Sequence, residues 1–171
     1  MTGRPGHPVP FPPAAPPLPP SAAPRRPGTL VTACVLACLL AAASVPGAGA
    51  TWWFAGASDL YGELGSPVPR QGLVLALLEL AAAGALVTGV VLLAAGIDRR
   101  TLVVTCAVEL GVVGWWLYQV GAGPFGVYET DRLVFGGTAL AFGAVAVTTA
   151  ALALSPPSGR WLAVRRALRG R

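Results

Sequence analysis

Four long apolar segments dominate the chain after its first 28 residues. They cover residues 29–45, 73–97, 101–120 and 133–154, and each contains at most one charged residue. A helix needs about 20 apolar residues to cross the roughly 30 Å hydrocarbon core of a bilayer. The pattern therefore predicts an all-α membrane protein built as a bundle of four transmembrane helices.

Short polar or turn-forming stretches set the bounds of these spans. Pro46-Gly47 is expected to end the first helix, because proline removes a backbone donor and disrupts a helix. Asp98-Arg99-Arg100 leaves room only for a tight antiparallel hairpin between the second and third spans. Longer connections, 46–70 and 121–132, lie at the other end of the predicted bundle. The even number of spans places both chain ends on one side.

The first 28 residues differ sharply in composition from the spans. They contain eleven of the 17 prolines, including three adjacent pairs. Proline-rich sequence favours the extended polyproline II conformation and cannot build a core. We therefore expect residues 1–28 to form a disordered proline-rich tail. It would serve either as a spacer or, through its Pro-x-x-Pro spacings, as a docking segment for a protein partner.

The first apolar segment has an alternative interpretation as a cleaved signal peptide. Arg25 and Arg26 precede it, and Ala48-Gly49-Ala50 follows with the A-x-A spacing of a cleavage site. The region before it is long for a signal peptide and lacks the rest of a twin-arginine signature. We favour a retained signal anchor over cleavage.

Arginines predict the orientation of the bundle. All twelve strongly basic residues are arginine, and lysine and asparagine are absent, a bias typical of a GC-rich bacterial genome. Most of the arginines flank one end of the spans, and this end is expected to be cytoplasmic. We therefore expect a multi-pass protein of the bacterial inner membrane with cytoplasmic N and C termini. The arginines at this end are Arg25, Arg26, Arg99, Arg100, Arg160, Arg165, Arg166, Arg169 and Arg171.

The C-terminal segment, residues 155–171, is basic and amphipathic. As a helix it would place Trp161, Val164 and Leu168 on one face and most of its arginines on the other. Such a segment is typical of an interfacial helix that binds anionic lipid, at about 1 kcal/mol per arginine near the surface. The alternative is a frayed basic end that only fixes the topology. The predicted membrane-surface residues are Arg160, Trp161, Arg165, Arg166 and Arg169.

Two carboxyl groups fall inside the predicted spans, at Glu79 in the second and Glu109 in the third. Ionisable side chains are costly at this depth and are candidates for function by default. In a tight hairpin Glu109 lies level with Thr88, while Glu79 lies about nine positions, or roughly 13 Å, further along the axis. The two are therefore not expected to form a carboxylate pair. Glu109, Thr88 and Glu79 make up the candidate intramembrane polar site.

Glu109 has two interpretations. As a neutral acid, hydrogen-bonded to Thr88 or to Thr148 and Thr149 of the fourth span, it would hold helices together. As a titrating group, it would carry a proton or couple an ion to transport. Glu79 lies nearer the outer surface, where a structural role is favoured.

Residue types needed for most other chemistry are missing from the spans. His7 is the only histidine and lies in the proline-rich tail, so no histidine is available to ligate haem or metal in the membrane. The three cysteines form no CxxC pair. No catalytic motif, nucleotide-binding motif or clear repeat is present. We expect no enzyme activity, no cofactor and no nucleic-acid partner.

Two functions remain open. The first is a non-enzymatic membrane protein that acts as an interaction or assembly component through its tails and outer loops. The alternative is a small oligomeric channel or proton-coupled transporter that uses Glu109. Rows of small residues such as Ala81, Ala85 and Gly89 would allow close helix packing and a homo-oligomer. Spans two to four contain no proline, which speaks against the broken helices of many transporters.

Overall fold

The structure, a computed structural model, describes residues 25–61, 68–122 and 129–170 of the 171-residue chain. These residues form helices and no strand, which confirms the predicted all-helical fold class. Most of the predicted disordered tail, residues 1–24, lies outside the described residues. The helices are α1 (Gly28–Tyr61), α2 (Val68–Ala94), α3 (Arg100–Ala122), α4 (Glu129–Leu154) and α5 (Pro156–Leu168).

Four of the helices are long and apolar enough to cross a membrane, as predicted. At 1.5 Å per residue, even the two 23-residue segments are about 35 Å long, which exceeds the thickness of a hydrocarbon core. This finding supports a multi-pass membrane protein. The segments are Gly28–Trp53, Arg70–Ala94, Arg100–Ala122 and Arg132–Leu154.

Helix α1 is longer than the sequence predicts. It continues through Pro46 to Tyr61, so the prediction that Pro46-Gly47 ends the first helix is wrong. In an apolar environment a broken helix leaves several backbone groups without partners, whereas one internal proline removes a single hydrogen bond. The helix therefore persists. The expected long connection 46–70 shortens to residues 62–67, which lie outside the described residues.

The connection between α2 and α3 is the tight turn that the sequence predicts. It opens with a Schellman motif, in which Gly96 N–H donates to the Leu93 carbonyl and Ile97 N–H to the Leu92 carbonyl, both at 2.9 Å. Gly96 has φ +73°, in the left-handed region that glycine adopts without steric cost. Residues 95–99 thereby reverse the chain direction.

The four long helices form a closed ring. Each helix packs against its neighbours in sequence, and α4 returns to pack against α1. Helices α2 and α3 approach closely at Gly89, where an added Cβ would lie 2.9 Å from Leu102 Cα on α3. Glycine is therefore required at this position, since even the methyl group of alanine would need the helices to separate.

Helix α5 closes one end of the ring. Its Trp161 and Leu162 are buried in the same hydrophobic cluster as Leu30 at the start of α1, Leu93 at the end of α2 and Leu102 at the start of α3. We call the part of the bundle formed by these five residues and their surroundings the capped half.

Candidate functional site

A cavity of about 190 Å³ lies between the four long helices. It starts near the middle of each helix and extends away from α5. Most of its wall is apolar, and two carboxyl groups interrupt that wall. We call the part of the bundle around it the cavity half. The lining residues are Ser44, Gly47, Ala50, Glu79, Glu109, Val112, Val113, Trp116, Val134, Phe135, Thr138, Ala139 and Phe142.

Glu109 on α3 is 2% exposed and pairs with a hydroxyl on α1. Ser44 Oγ lies 3.0 Å from Glu109 Oε1 and 2.9 Å from the Leu40 carbonyl oxygen. A hydroxyl carries one hydrogen and can donate to only one of these acceptors at a time. Both contacts are satisfied when Ser44 donates to Leu40 and a neutral Glu109 donates to Ser44.

Glu79 on α2 has the same kind of partner on α1. Thr51 Oγ1 lies 3.2 Å from both carboxyl oxygens of Glu79 and 3.1 Å from the Gly47 carbonyl oxygen. Trp116 Nε1 on α3 donates to Glu79 Oε1 at 3.4 Å. As at Glu109, a neutral acid can donate to the hydroxyl while that hydroxyl donates to its own helix.

The two carboxyl groups lie at different depths. Their partners Ser44 and Thr51 are seven residues apart on α1, which corresponds to about two turns or roughly 10 Å. They do not share a partner among the described residues. Both nevertheless line the same cavity, a relation that the residue spacing did not indicate.

The threonines expected near Glu109 point elsewhere. Thr88 is exposed and donates to the Gly84 carbonyl at 2.9 Å. Thr148 and Thr149 likewise donate to carbonyl oxygens of their own helix. The structure therefore corrects the expectation that Thr88 partners Glu109. Equal height on adjacent helices does not fix which helix face turns inward, and Thr88 lies on the outer face.

Sequence reasoning missed Ser44 and Thr51. Both are buried, and their spacing of seven residues puts them on one face of α1. This spacing was a usable signal, since few polar residues interrupt the apolar sequence there. It was overlooked because the helix was expected to end at Pro46, which left Thr51 in a loop.

Aromatic rings form the wall beside Glu79. The Trp116 and Phe135 rings are stacked, with centroids 6.2 Å apart and planes inclined by 14°. Trp115 meets Trp116 edge-on, with centroids 5.5 Å apart. The hydrogen bond to Glu79 and these two ring contacts fix the position of the Trp116 indole. Aromatic faces next to a carboxyl group favour positively charged groups.

The cavity reaches the outer surface of the bundle along α4. Val134 and Thr138 line the cavity, and both are also exposed. Val134 is 58% exposed, so the other described helices do not cover the cavity wall on α4 completely. We call this partly uncovered wall the lateral mouth; with α4 spanning a bilayer, it would face lipid.

In the C-terminal helix, Trp161 does not have the predicted position at the membrane surface. It is 4% exposed and belongs to the core, whereas Val164 and Leu168 on the predicted apolar face are exposed. The prediction of a membrane-surface role for Trp161 is therefore wrong. The first turns of α5 lie against the bundle and bury the indole. The Arg165 guanidinium carbon lies 5.3 Å from the Trp161 ring centroid, in a cation–π contact.

Two other tail arginines bind the end of α2. Arg166 Nη2 donates to the Ile97 carbonyl at 3.2 Å and lies 4.0 Å from Asp98 Oδ1. Arg169 Nη2 donates to the Ala95 carbonyl. Cations in these positions complement the carbonyl groups that a helix leaves unpaired at its C-terminus. Lipid binding by the tail stays a prediction for its exposed arginines, which are Arg160, Arg166 and Arg169.

Across the described ranges, no group of three or more His, Cys, Asp or Glu side chains could hold a metal ion. Cys34, Cys38 and Cys106 are free thiols. The polar side chains that line the cavity are those of Glu79, Glu109, Ser44, Thr138 and Trp116.

No family model matches this chain, and no curated protein or solved structure matches it. The geometry of the cavity and the arrangement of the helices are therefore the basis of the functional proposal.

Proposed function

We propose that the protein is a small proton-coupled membrane transporter whose solute site is the cavity that contains Glu109 and Glu79. The observation that carries this proposal is a single cavity that contacts two buried carboxyl groups inside a bundle of apolar helices. Ionisable residues at such depth are costly and commonly mark proton or substrate pathways. A carboxyl group that only joins two helices has no need of open space beside it.

The hydrogen bonds of the two carboxyl groups suit proton exchange. In each case the partner hydroxyl is already within bonding distance of a carbonyl on its own helix. A neutral acid fits this arrangement without any unsatisfied donor. Because each carboxyl group also faces the cavity, its proton can pass to water or solute that enters there. Proton coupling requires this combination of a held proton and an exit for it.

Pro46 on α1 provides further support. It lies within the helix, between Ser44 and Gly47, and both of these neighbours line the cavity. Proline removes one backbone hydrogen bond and is a common cause of helix bending. A bend in α1 at this point would change the shape of the cavity, as alternating access requires. Helix α1 thus contains an internal proline beside the site, whereas spans two to four contain none.

We further propose that the protein lies in the bacterial inner membrane with both termini in the cytoplasm. The arginines of the capped half, including Arg99, Arg166 and Arg169, favour the cytoplasmic side for that end. In this orientation α5 seals the bundle on the cytoplasmic side, and the cavity lies in the outer half. The structure then corresponds to a state in which the solute site is closed toward the cytoplasm.

The role as an interaction or assembly component has less support. It depends on residues 1–24 and on the connections 62–67 and 123–128, all of which lie outside the described residues. It also depends on the tail, whose Trp161 is packed into the bundle. Docking of a protein by the proline-rich segment, binding of anionic inner-leaflet lipid by the exposed tail arginines, and homo-oligomer formation remain separate proposals.

Solute-driven proton flux in proteoliposomes, read by a pH-sensitive dye sealed inside them, tests the transport proposal. Wild type, Glu109→Gln and Asp98→Asn are reconstituted at equal density and exposed to a panel of small cationic, neutral and anionic solutes. Asp98 is the matched control because its carboxyl group lies in the α2–α3 turn, outside the cavity lining. We expect at least one solute to change the internal pH in wild type and Asp98→Asn, with loss of that change in Glu109→Gln. Absence of any solute-driven proton flux, or equal flux in Glu109→Gln, would overturn the proposal.

A further inference from the structure

The wall of the cavity restricts the class of solute. We propose that the cavity binds a small lipophilic monocation, with one aromatic or apolar body, that enters from the bilayer beside α4. The proton coupling of this solute rests on the proposed transport function, whereas its binding does not.

The charge of the cavity selects a cation. Among the described residues that line it, Glu79 and Glu109 are the ionisable ones. The chain has no lysine, and Arg70 and Arg132, near the starts of α2 and α4, are exposed and outside the lining. An anion would meet two carboxyl groups without a compensating positive charge. A cation can instead take the place of a proton, and low local polarity strengthens that pairing.

The aromatic wall selects an organic cation. Trp116 and Phe135 present stacked rings beside Glu79, and aromatic faces attract ammonium groups as well as apolar bodies. A hard metal cation would need six or more oxygen ligands in most sites. The cavity offers two carboxyl groups at different depths, and the hydroxyls beside them already bond to backbone carbonyls. These donors do not form a cage for a metal ion.

The volume of the cavity limits the solute to about one ring and one charged group. At about 190 Å³ it is somewhat larger than the 150 Å³ engineered apolar cavity that holds benzene. Benzyltrimethylammonium has one ring and one charged group, and its charge does not depend on pH. It is therefore a suitable probe of the site.

The lateral mouth gives such a solute its route. Val134 and Thr138 are exposed on α4 and line the cavity at the same time. An aromatic cation that partitions into the bilayer can pass between lipid and cavity there. On binding, the cation pairs with a carboxylate, and the proton of that carboxyl group leaves to water. One positive charge enters and one leaves: the O–H bond of the carboxyl group breaks, and the proton forms an O–H bond with a water molecule.

Equilibrium binding to the full chain in zwitterionic nanodiscs tests this inference. Radiolabelled benzyltrimethylammonium is titrated against wild type, with empty nanodiscs as the control for partitioning into lipid. We expect saturable binding of one cation per chain, with release of about one proton in weak buffer. The neutral carbon analogue neopentylbenzene should compete at least tenfold more weakly than the unlabelled cation, and benzoate should not compete.

Variants assign the binding to the cavity. Glu79→Gln combined with Glu109→Gln should lower cation affinity at least tenfold, whereas Asp98→Asn should leave it unchanged. Circular dichroism of each variant shows whether the helices are retained. Because the comparison of cation with neutral analogue uses wild type, it stands even if a carboxyl variant fails to fold.

The outcomes separate this inference from the transport proposal. Equal affinity for the cation and its neutral analogue, or full cation binding by the double variant, would overturn the inference. Cation binding without any solute-driven proton flux would support it while refuting transport. A Glu109-dependent proton flux with a neutral or anionic solute, together with no binding of the cation, would support transport and overturn this inference.

Discussion

The capped half and the cavity half are built from the same helices but have different interiors. In the capped half, large apolar side chains fill the ring and α5 covers it. In the cavity half, α1 turns small residues inward, and open space remains. The large side chains are Leu30, Leu93, Leu102, Trp161 and Leu162, and the small ones are Ser44, Gly47 and Ala50. The difference indicates that the capped half holds the fold together, which leaves the cavity half free to serve a site.

The two halves also differ in packing. The cavity of about 190 Å³ leaves the side chains around it with fewer contact atoms, so the cavity half gains less packing energy than the capped half. Transmembrane helices associate through packing and hydrogen bonds, since lipid supplies little hydrophobic drive between them. Space of this size next to two buried carboxyl groups therefore works against stability, which is typical of sites kept for function.

The largest expected effect is in the capped half, at Trp161. Trp161→Ala removes a fully packed indole from the core cluster and should lower the free energy of unfolding by about 3 to 5 kcal/mol. Unfolding of the purified protein in mixed micelles measures this loss. Val164→Ala on the exposed face of α5 is the control and should change stability by less than about 1 kcal/mol. Equal effects of the two substitutions would show that α5 is not part of the core.

The next effect concerns the contact of α2 with α3 at Gly89. Gly89→Ala would bring a methyl group to 2.9 Å from Leu102 Cα, so the backbones must separate. We expect a loss of about 1 to 3 kcal/mol in unfolding free energy, in the range of overpacked cores. Gly84→Ala, five residues earlier on α2 with open space around it, should be neutral or slightly stabilising. A neutral result for Gly89→Ala would mean that the two helices can move apart at no cost.

The third prediction concerns Gly47, which lines the cavity. Gly47→Leu places a side chain into the cavity, where the first added atom has ordinary contact, 3.7 Å, with Glu79 Oε2. We expect binding of benzyltrimethylammonium to weaken at least tenfold, or about 1.4 kcal/mol, while unfolding changes little. Gly49→Leu is the matched control, because Gly49 is exposed and has open space around it. Unchanged binding in Gly47→Leu would place the cation outside this cavity.

The sequence was sufficient to predict the helices and their hairpin. Span length follows from bilayer thickness, and Asp98-Arg99-Arg100 limits the turn between α2 and α3, so neither depends on tertiary detail. The end of α1 was predicted wrongly at Pro46. Local propensity disfavours proline in a helix, but the need to pair backbone groups in an apolar environment outweighs it.

The faces of the helices could not be predicted, and the site depends on them. Lipid and protein interior are both apolar, so a span of Ala, Leu and Val has no pattern that distinguishes its inner side. For this reason the sequence does not show that Thr88 lies on an outer face. Glu79 and Glu109 were identified because ionisable residues stand out in any apolar segment. Their partners on α1, Ser44 and Thr51, can be identified only when the inward-facing side of that helix is known.

The smallest expected effect tests whether Glu109 serves structure or transport. Ser44→Ala removes the hydroxyl that pairs with Glu109 across the ring, and hydrogen bonds between membrane helices contribute on average about 0.6 kcal/mol. We expect a loss of about this size, and Thr148→Val, which removes an exposed hydroxyl bonded to its own helix, should have less effect. Unfolding in mixed micelles measures both. A loss above about 2 kcal/mol would make the Ser44–Glu109 bond a principal link between helices and return Glu109 to a structural role. A small loss would mean that the bundle does not need the Ser44–Glu109 bond for stability. The buried Glu109 carboxyl group would then be better explained by proton exchange with the cavity than by a structural role.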